Sequence, residues 1–317
     1  MNISNIKHTL KRVSRRFGFD LRSHTSKGYC DPSTLGKAQK NIERFREIVS
    51  DPLNLMIERV PESGYIVGDS VVLHNGALAI VHGPHAYYDD FSEILIINRG
   101  VHEPLEEFCF QQLLKMDSYS PSVMIELGAY WGHYSMWAKR AKPEIQVVLV
   151  EPDPHNLACG QKNFARNLLT GKFIRQEVGL GKFGIDDFLE ESGLSKISIL
   201  HSDIQGAEIE MLNSAQLALK RGQIDYIFLS THSESIHGEA ISLLATAAYR
   251  CEVSSPYASH TTSCDGFILA SSQLVQPVFE NFAPLGRLDI ARSSKTAILN
   301  YLSHVNSISP TRRSPTG

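Results

Sequence analysis

The stretch VMIELGAYWGHYSMW, Val123 to Trp137, limits what this chain can fold into more than any other. Val123 to Leu127 is apolar except for Glu126, the composition of a short strand buried on both faces. Gly128, Ala129 and Gly132 follow as a tight turn, and Met136, Trp137 and Ala138 then fall at helical spacing. A strand, a glycine turn and a helix in that order bring backbone N–H groups to a ligand at the carboxyl edge of a sheet. One β–α unit later IQVVLVEPDP gives a second buried strand, Ile145 to Val150, ending on Glu151. Glu151 stands about 20 positions after the turn, the separation expected of an acid that holds a ribose diol. A nucleoside-bearing cofactor is expected.

The turn chemistry bears on which cofactor. A dinucleotide fold uses G-x-G-x-x-G so that the backbone can approach a pyrophosphate. Here bulky Tyr130 and Trp131 stand in that approach, and Glu126 would repel the phosphates. An acid at Glu126 suits a cationic amino-acid portion instead. S-adenosylmethionine, with its ammonium, sulfonium and ribose, fits the charges better than NAD.

The rest of the chain narrows the class. A net charge of −3 over 317 residues sets up no field for nucleic acid. Cys30, Cys109, Cys159, Cys251 and Cys264 are dispersed without C-x-x-C spacing, which fits reduced thiols in a cytoplasmic protein and no zinc site. The basic N-terminus has no apolar segment behind it, so no signal peptide is expected, and no run reaches transmembrane length. Residues 1–37 read as an amphipathic helix and linker. Ile3, Ile6, Leu10, Val13 and Phe17 form its stripe, with Lys7, Lys11, Arg12, Arg15 and Arg16 on the other faces. Packing on its own domain or a second subunit is favoured over docking on an anionic membrane surface, and both readings stay open.

Residues 38–118 read as a small β-rich extension. It opens with a helix, Ala38 to Ile48, and contains a hairpin at Asn75-Gly76 and a strand from Glu93 to Asn98. It closes with an amphipathic helix from Glu103. Tyr87 to Asp90 form a loop that is either surface or a substrate entrance. Residues 119–271 then alternate strand and helix, the sign of a doubly wound, mostly parallel α/β sheet. After Glu151 come a helix from Pro154 to Leu169, a strand from Phe173 to Gln176 and a short helix from Ile185 to Glu191. A strand from Ile197 to Ser202 ends on Asp203, and a strand from Tyr226 to Ser230 leads to His232. A helix from Glu239 to Ala248 precedes two late strands, Cys251 to Ser254 and Asp265 to Ala270, which suggest an antiparallel edge. Residues 272–317 form a C-terminal extension, with disorder expected from 306 onward.

Four of these segments, ELGAYWGHYS, VEPDPHN, ILHSDIQGAEIEML and IFLSTHS, together resemble the FkbM family of S-adenosylmethionine-dependent methyltransferases. The resemblance spans roughly residues 100 to 271. It implies a seven-stranded class I methyltransferase fold of Rossmann-like type and, usually, O-methylation of a hydroxyl on a sugar, glycan or natural product. By motif position Glu126, Gly128, Ala129 and Gly132 would surround the methionine portion and Glu151 the ribose hydroxyls. Pro152 and Asp153 would follow on a cofactor-facing turn, with Gln176, Glu177 and Val178 around the adenine. The family usually carries a small polar residue, often Asn, where this chain has Tyr130.

Methyl transfer to a hydroxyl needs a base near the cofactor. Asp203 and His232 both end strands at the expected edge. Asp203 could instead orient the acceptor or bind the cofactor ammonium; its competing expectation is capping the helix near Gly206, and that of His232 is a structural histidine bonding a loop. His201 reads as a core residue. His237 and Asp265 would complete a divalent-ion set with Asp203 and His232, but the spacing carries no recognisable metal signature and no metal is expected. The expected partner is therefore a small-molecule or glycan acceptor. The rival expectations are an NAD-dependent oxidoreductase and a non-catalytic binding protein that kept the fold.

Overall fold

The computed structural model describes residues 37–87, 91–257, 261–263, 265–280 and 282–309. The described residues all fall within one compact unit. The basic N-terminal stripe lies outside the described residues, as do Tyr88, Asp89, Asp90 and the last eight positions.

The described chain opens with helix α1 (Lys37–Ser50), a 3₁₀ turn (Pro52–Leu55) and a three-stranded sheet of β1 (Ile66–Val67), β2 (Ser70–Val72) and β3 (Leu78–Ile80). β2 and β3 pair antiparallel around Asn75-Gly76 as expected. Gly76 has φ +83, and the Asn75 side chain accepts the Ala77 N–H at 2.9 Å. These are the turn roles that select Asn and Gly.

Two expectations from sequence fail here. Glu93–Ile97 is helix α2, not a strand. The apolar run ILII fits either structure, and tertiary contacts decide: Ile94 and Leu95 are buried while Ile97 faces solvent. The overlooked signal is Arg99-Gly100, whose left-handed φ values of +53 and +81 close a helix. The Gly100 N–H donates back to the Leu95 carbonyl at 2.6 Å. Next, α3 (Pro104–Leu114) is amphipathic in composition only, because all eleven of its residues are buried.

The main sheet follows. β4 (Val123–Leu127), α4 (His133–Ala141), β5 (Gln146–Val150), α5 (Pro154–Arg166), β6 (Lys172–Ile174), α6 (Ile185–Ser192), β7 (Ile197–Ser202), α7 (Glu208–Asn213), α8 (Gln216–Lys220), β8 (Ile224–Thr231), α9 (Glu234–Thr246), β9 (Arg250–Ser255) and β10 (Gly266–Ser271) alternate along the chain. The strand order is β6-β5-β4-β7-β8-β10-β9, parallel except at β10, which runs antiparallel to both neighbours. This is the expected doubly wound seven-stranded sheet with an antiparallel edge. α9 begins five residues earlier than the reading from Glu239, because the Ser233 hydroxyl accepts the Ile236 N–H as its N-cap.

Period-2 alternation sends Met124, Leu149, Phe228 and Leu269 to one core, shared with α3 and the three-stranded sheet. It sends Ile125, Leu127, Val150 and Ile227 to the other, under α6, α7 and α9. Both faces are covered, as a parallel sheet requires. Helices α10 (Arg287–Arg292) and α11 (Lys295–Ile308) complete the described chain. Helical structure therefore reaches two residues beyond 306, the point from which disorder was expected. Among the described residues no helix is long and apolar enough to cross a membrane.

Candidate active site

The strand order reverses at β4, which has β5 on one side and β7 on the other. Ligands bind at such switch points, outside the carboxyl ends of the strands. Leu127 lies opposite Val150 and Ser202, so the residues that follow these strands converge on one edge. A cavity of about 790 Å³ opens there, lined by Glu126, Gly128, Ala129, Glu151, Pro152, Glu177 and Asp203 among others.

Gly128 is required where it stands. Its φ is +68, and a Cβ on it would lie 1.8 Å from the carbonyl oxygen of Asp203. The Gly128 and Ala129 N–H groups donate to the Val150 carbonyl at 2.9 and 3.1 Å, and the Asp203 N–H donates to that of Leu127 at 3.0 Å. The three strand ends are thereby sewn together with no side chain between them. Tyr130, with φ +37, occupies a left-handed position that a short polar residue such as Asn tolerates better.

The two acids of the turn differ in how they are held. Glu126 is 3% exposed. Its oxygens accept the Ser135 N–H at 2.9 Å and the Tyr134 N–H at 3.3 Å. It thus caps the first turn of α4 from the neighbouring strand while it faces the cavity, and burial raises its pKa. Glu151 is fixed by the N–H groups of Tyr130 (3.2 Å) and Asp153 (3.0 Å). Burial is again the largest cause of its raised pKa. Glu177 pairs with Lys182 at 3.2 Å on the rim. Gly132 is not on the wall; a Cβ there would meet Leu149 and Phe164, so it serves packing. Asp153 also turns away, capping α5 by accepting the His155 and Asn156 N–H groups.

Asp203 and His232 do come together. His232 Nε2 lies 3.2 Å from Asp203 Oδ1 and 3.4 Å from Asp265 Oδ1. Asp203 does not cap α7, whose N-cap is Ala207 with no side-chain bond. Glu208 of α7, fully buried, instead holds His232 Nδ1 at 2.5 Å and accepts its backbone N–H at 3.2 Å. Burial alone would lower the His232 pKa, but the bonds to Asp203 and Glu208 and the charge of Asp265 outweigh it and raise it to about 10. Burial and repulsion from Asp203 push the Asp265 carboxyl up. His237 is elsewhere, bridging Thr231 (2.8 Å) and Ser254 (2.9 Å). Three groups have metal-ligand chemistry among the described residues: Asp203–His232–Asp265, His74–Glu107–His133 and His85–His155–Cys159.

Sequence reading missed the wall supplied by the residue pair before α3. His102 and Glu103 line the cavity with Trp131, His133, Tyr134 and His201. Glu106 of α3 stands behind them, with His201 Nε2 at 2.6 Å and the Ser230 hydroxyl donating at 3.2 Å. Burial raises the pKa of Glu103 to about 7 and, with help from Asp203, that of Glu106 to about 8. The His102 pKa is raised as well, to about 9, because Glu103 and Glu107 overcome the burial that would lower it. The available signal was HEPLEEF itself, whose acids alternate with core residues on every helical face. In all, six carboxylates line the cavity against Arg44, Lys182 and the protonated His102.

A family model for the methyltransferase FkbM domain matches residues 171–251, which contain Glu177, Asp203, Glu208 and His232. No curated protein matches the chain. Among solved structures, a precorrin-6y C5,15-methyltransferase from Geobacter metallireducens GS-15 is 16% identical, covering 52% of this chain and 87% of its own, with a TM-score of 0.38. An S-adenosylmethionine-dependent methyltransferase from Agrobacterium tumefaciens is 14% identical over 68% and 72%, at 0.41. TrmK from M. capricolum, solved with S-adenosyl-homocysteine, is 14% identical over 63% and 83%, at 0.37. At these scores the strand order above, and not the likenesses, carries the fold assignment.

Proposed function

We propose that this chain, with its FkbM methyltransferase domain, is an S-adenosylmethionine-dependent methyltransferase acting on a hydroxyl of a neutral small molecule or glycan. The observation that carries the reading is the pair of carboxylates, Glu126 and Glu151, at adjacent strand ends on either side of a turn whose Gly128 admits no side chain. Glu151 is oriented by two backbone amides and suits a ribose diol. Glu126, Gly128 and Ala129 suit the cationic methionine portion, with Pro152 and Glu177 toward the nucleoside. S-adenosylmethionine supplies an electrophilic methyl group on a sulfonium. The protein aligns the acceptor oxygen with it, an effect worth up to about 7–11 kcal/mol.

The acceptor's proton passes to the cluster of Asp203, His232 and Asp265, which shares its protons as a unit. Asp203 and Asp265 line the cavity and are the atoms an acceptor meets. His232, clamped by Glu208, holds positive charge beside them and keeps Asp203 oriented. Base assistance of this kind contributes about 10²–10⁴-fold. Six carboxylates on the wall disfavour a polyanion such as RNA and favour a neutral polyol. The free thiols of Cys109, Cys159 and Cys251 support a reducing, cytoplasmic location.

Calorimetry with S-adenosylmethionine, S-adenosyl-homocysteine and NAD tests the donor. The two sulfur ligands should bind and NAD should not, and Glu151→Ala should weaken them by roughly 10–100-fold. A wild-type chain that binds NAD alone, or no ligand at all, would end the proposal. Labelled donor with a panel of glycosides, natural-product alcohols and RNA then reads the acceptor class; label in RNA alone would overturn that part.

A further inference from the structure

At the aromatic wall of the cavity, three side chains with metal-ligand chemistry come together from separate elements. His74 lies in the hairpin after β2, Glu107 on α3, and His133 at the first position of α4. Their side chains are 1%, 0% and 2% exposed. His74 Nε2 pairs with Glu107 Oε2 at 2.9 Å. His133 has no partner at either ring nitrogen, and its Nε2 is 3.7 Å from Glu107 Oε1. Each such group left unmet in a core costs about 1–3 kcal/mol, and native proteins hold few of them. Two imidazoles and a carboxylate whose ligand atoms lie within 4.8 Å of one another suggest what meets them.

We propose that His74, Glu107 and His133 bind one divalent transition-metal ion of the zinc type. Zinc bonds of about 2.0–2.2 Å in a tetrahedron set neighbouring ligand atoms about 3.3 Å apart. Here the Nε2 atoms of His74 and His133 stand 2.9 and 3.7 Å from the two oxygens of Glu107, and the ligand atoms of the three residues lie within 4.8 Å of one another. Imidazole-rich ligands select zinc and its neighbours over calcium or magnesium. The supporting shell is built as well: Glu107 Oε1 is engaged by His102 Nδ1 (2.7 Å) and by the N–H groups of His102 (2.8 Å) and Glu103 (3.1 Å). That fixes the carboxylate and leaves Oε2 for the ion. The Asp203–His232–Asp265 group belongs to the proton-accepting cluster already described. In the His85–His155–Cys159 group, His155 is exposed, so the wholly buried set is the stronger one.

Such an ion would tie the hairpin, α3 and the start of α4 into one unit. Trp131 stacks on His133 with ring centroids 4.7 Å apart, so the cavity wall rests on the same point.

The test uses the full chain, stripped with a chelator and titrated with Zn²⁺ and with Co²⁺ in the absence of any methyl donor, so it is independent of the donor assignment. Zn²⁺ should bind tightly at one equivalent abolished by His74→Ala and by His133→Ala and retained by Asp203→Asn. Co²⁺ should give the intense visible absorption of a four-coordinate ion. No stoichiometric binding to the wild-type chain, or binding that survives both histidine substitutions, would overturn the proposal, as would loss in Asp203→Asn alone. Where the histidine variants do not fold, the wild-type cobalt spectrum decides: weak six-coordinate absorption, or none, overturns the site.

Discussion

At the scale of single residues, the side chains held in left-handed backbone divide by what surrounds them. Tyr130 (φ +37) and Gln205 (φ +42) line the cavity, where strain that the fold sustains commonly has a use. Leu168 (φ +54) has no such surroundings. It follows the last turn of α5, donates its N–H to the Ala165 carbonyl at 3.1 Å and is 92% exposed. Such a position favours glycine, because a Cβ costs roughly 1–2 kcal/mol there and packs on nothing. The extra freedom that glycine gives the unfolded chain takes back part of that gain. Leu168→Gly should therefore raise stability by about 1 kcal/mol, a Tm increase of about 1–2 °C by calorimetry, without changing donor affinity. Gly128→Ala should do the opposite, since its Cβ would collide with the Asp203 carbonyl. It should reduce both stability and donor binding.

At the scale of elements, the open edge of β3 is satisfied by side chains instead of a further strand. Asn163 of α5 accepts the Ile80 N–H at 3.0 Å and donates to the Trp131 carbonyl at 3.1 Å. Asn167 accepts the Leu78 N–H and donates to its carbonyl, both at 2.8 Å. Asn163 is 1% exposed, so truncating it strands two buried backbone groups that water cannot reach. Asn163→Ala should cost about 2–4 kcal/mol in urea unfolding, and the loosened Trp131 should weaken donor binding as well. A loss under about 0.5 kcal/mol, the range of an ordinary surface change, would show that the contact carries no weight. None of this latch could be read from sequence, because its partners are far apart along the chain. What could be read was local. β4 and β7 match their sequence ranges residue for residue, since a buried apolar run ending on an acid has few other readings. The run ILII at α2 was misread because apolar residues alone do not distinguish a short strand from a buried helix. Glu106 and Glu107 were missed as site residues because charge on a helix is read as a solvated face until burial is known.

At the scale of the whole molecule, the buried contacts join segments from opposite ends of the chain, and one of them makes stability depend on pH. Asp51, at the N-cap of the 3₁₀ turn, accepts the Thr262 hydroxyl at 2.7 Å across the fold and the Leu53 N–H at 2.8 Å. Burial raises its pKa from 3.8 to about 6, and these two bonds offset only part of that. The titratable groups that feel its charge, Cys109 and Tyr301, are neutral throughout this range. The folded chain therefore keeps the Asp51 proton at a pH where the unfolded chain has already released it. Its contribution to stability is full below about pH 4, falls as pH rises toward about 6, and is then a constant penalty. The size is on the order of 2–3 kcal/mol. Glu47, raised to about 7 by burial despite Arg287, bends the curve in the same direction, so the wild-type profile alone cannot isolate Asp51. The difference between wild type and Asp51→Asn can. Asparagine keeps an acceptor for Leu53 or Thr262 but has no proton to release. Relative to the variant, the wild-type chain should lose stability steadily between about pH 4 and about pH 6 in urea titrations and run parallel to it above. A difference independent of pH would mean that Asp51 titrates normally, and that the link to Thr262 holds two segments together without sensing charge.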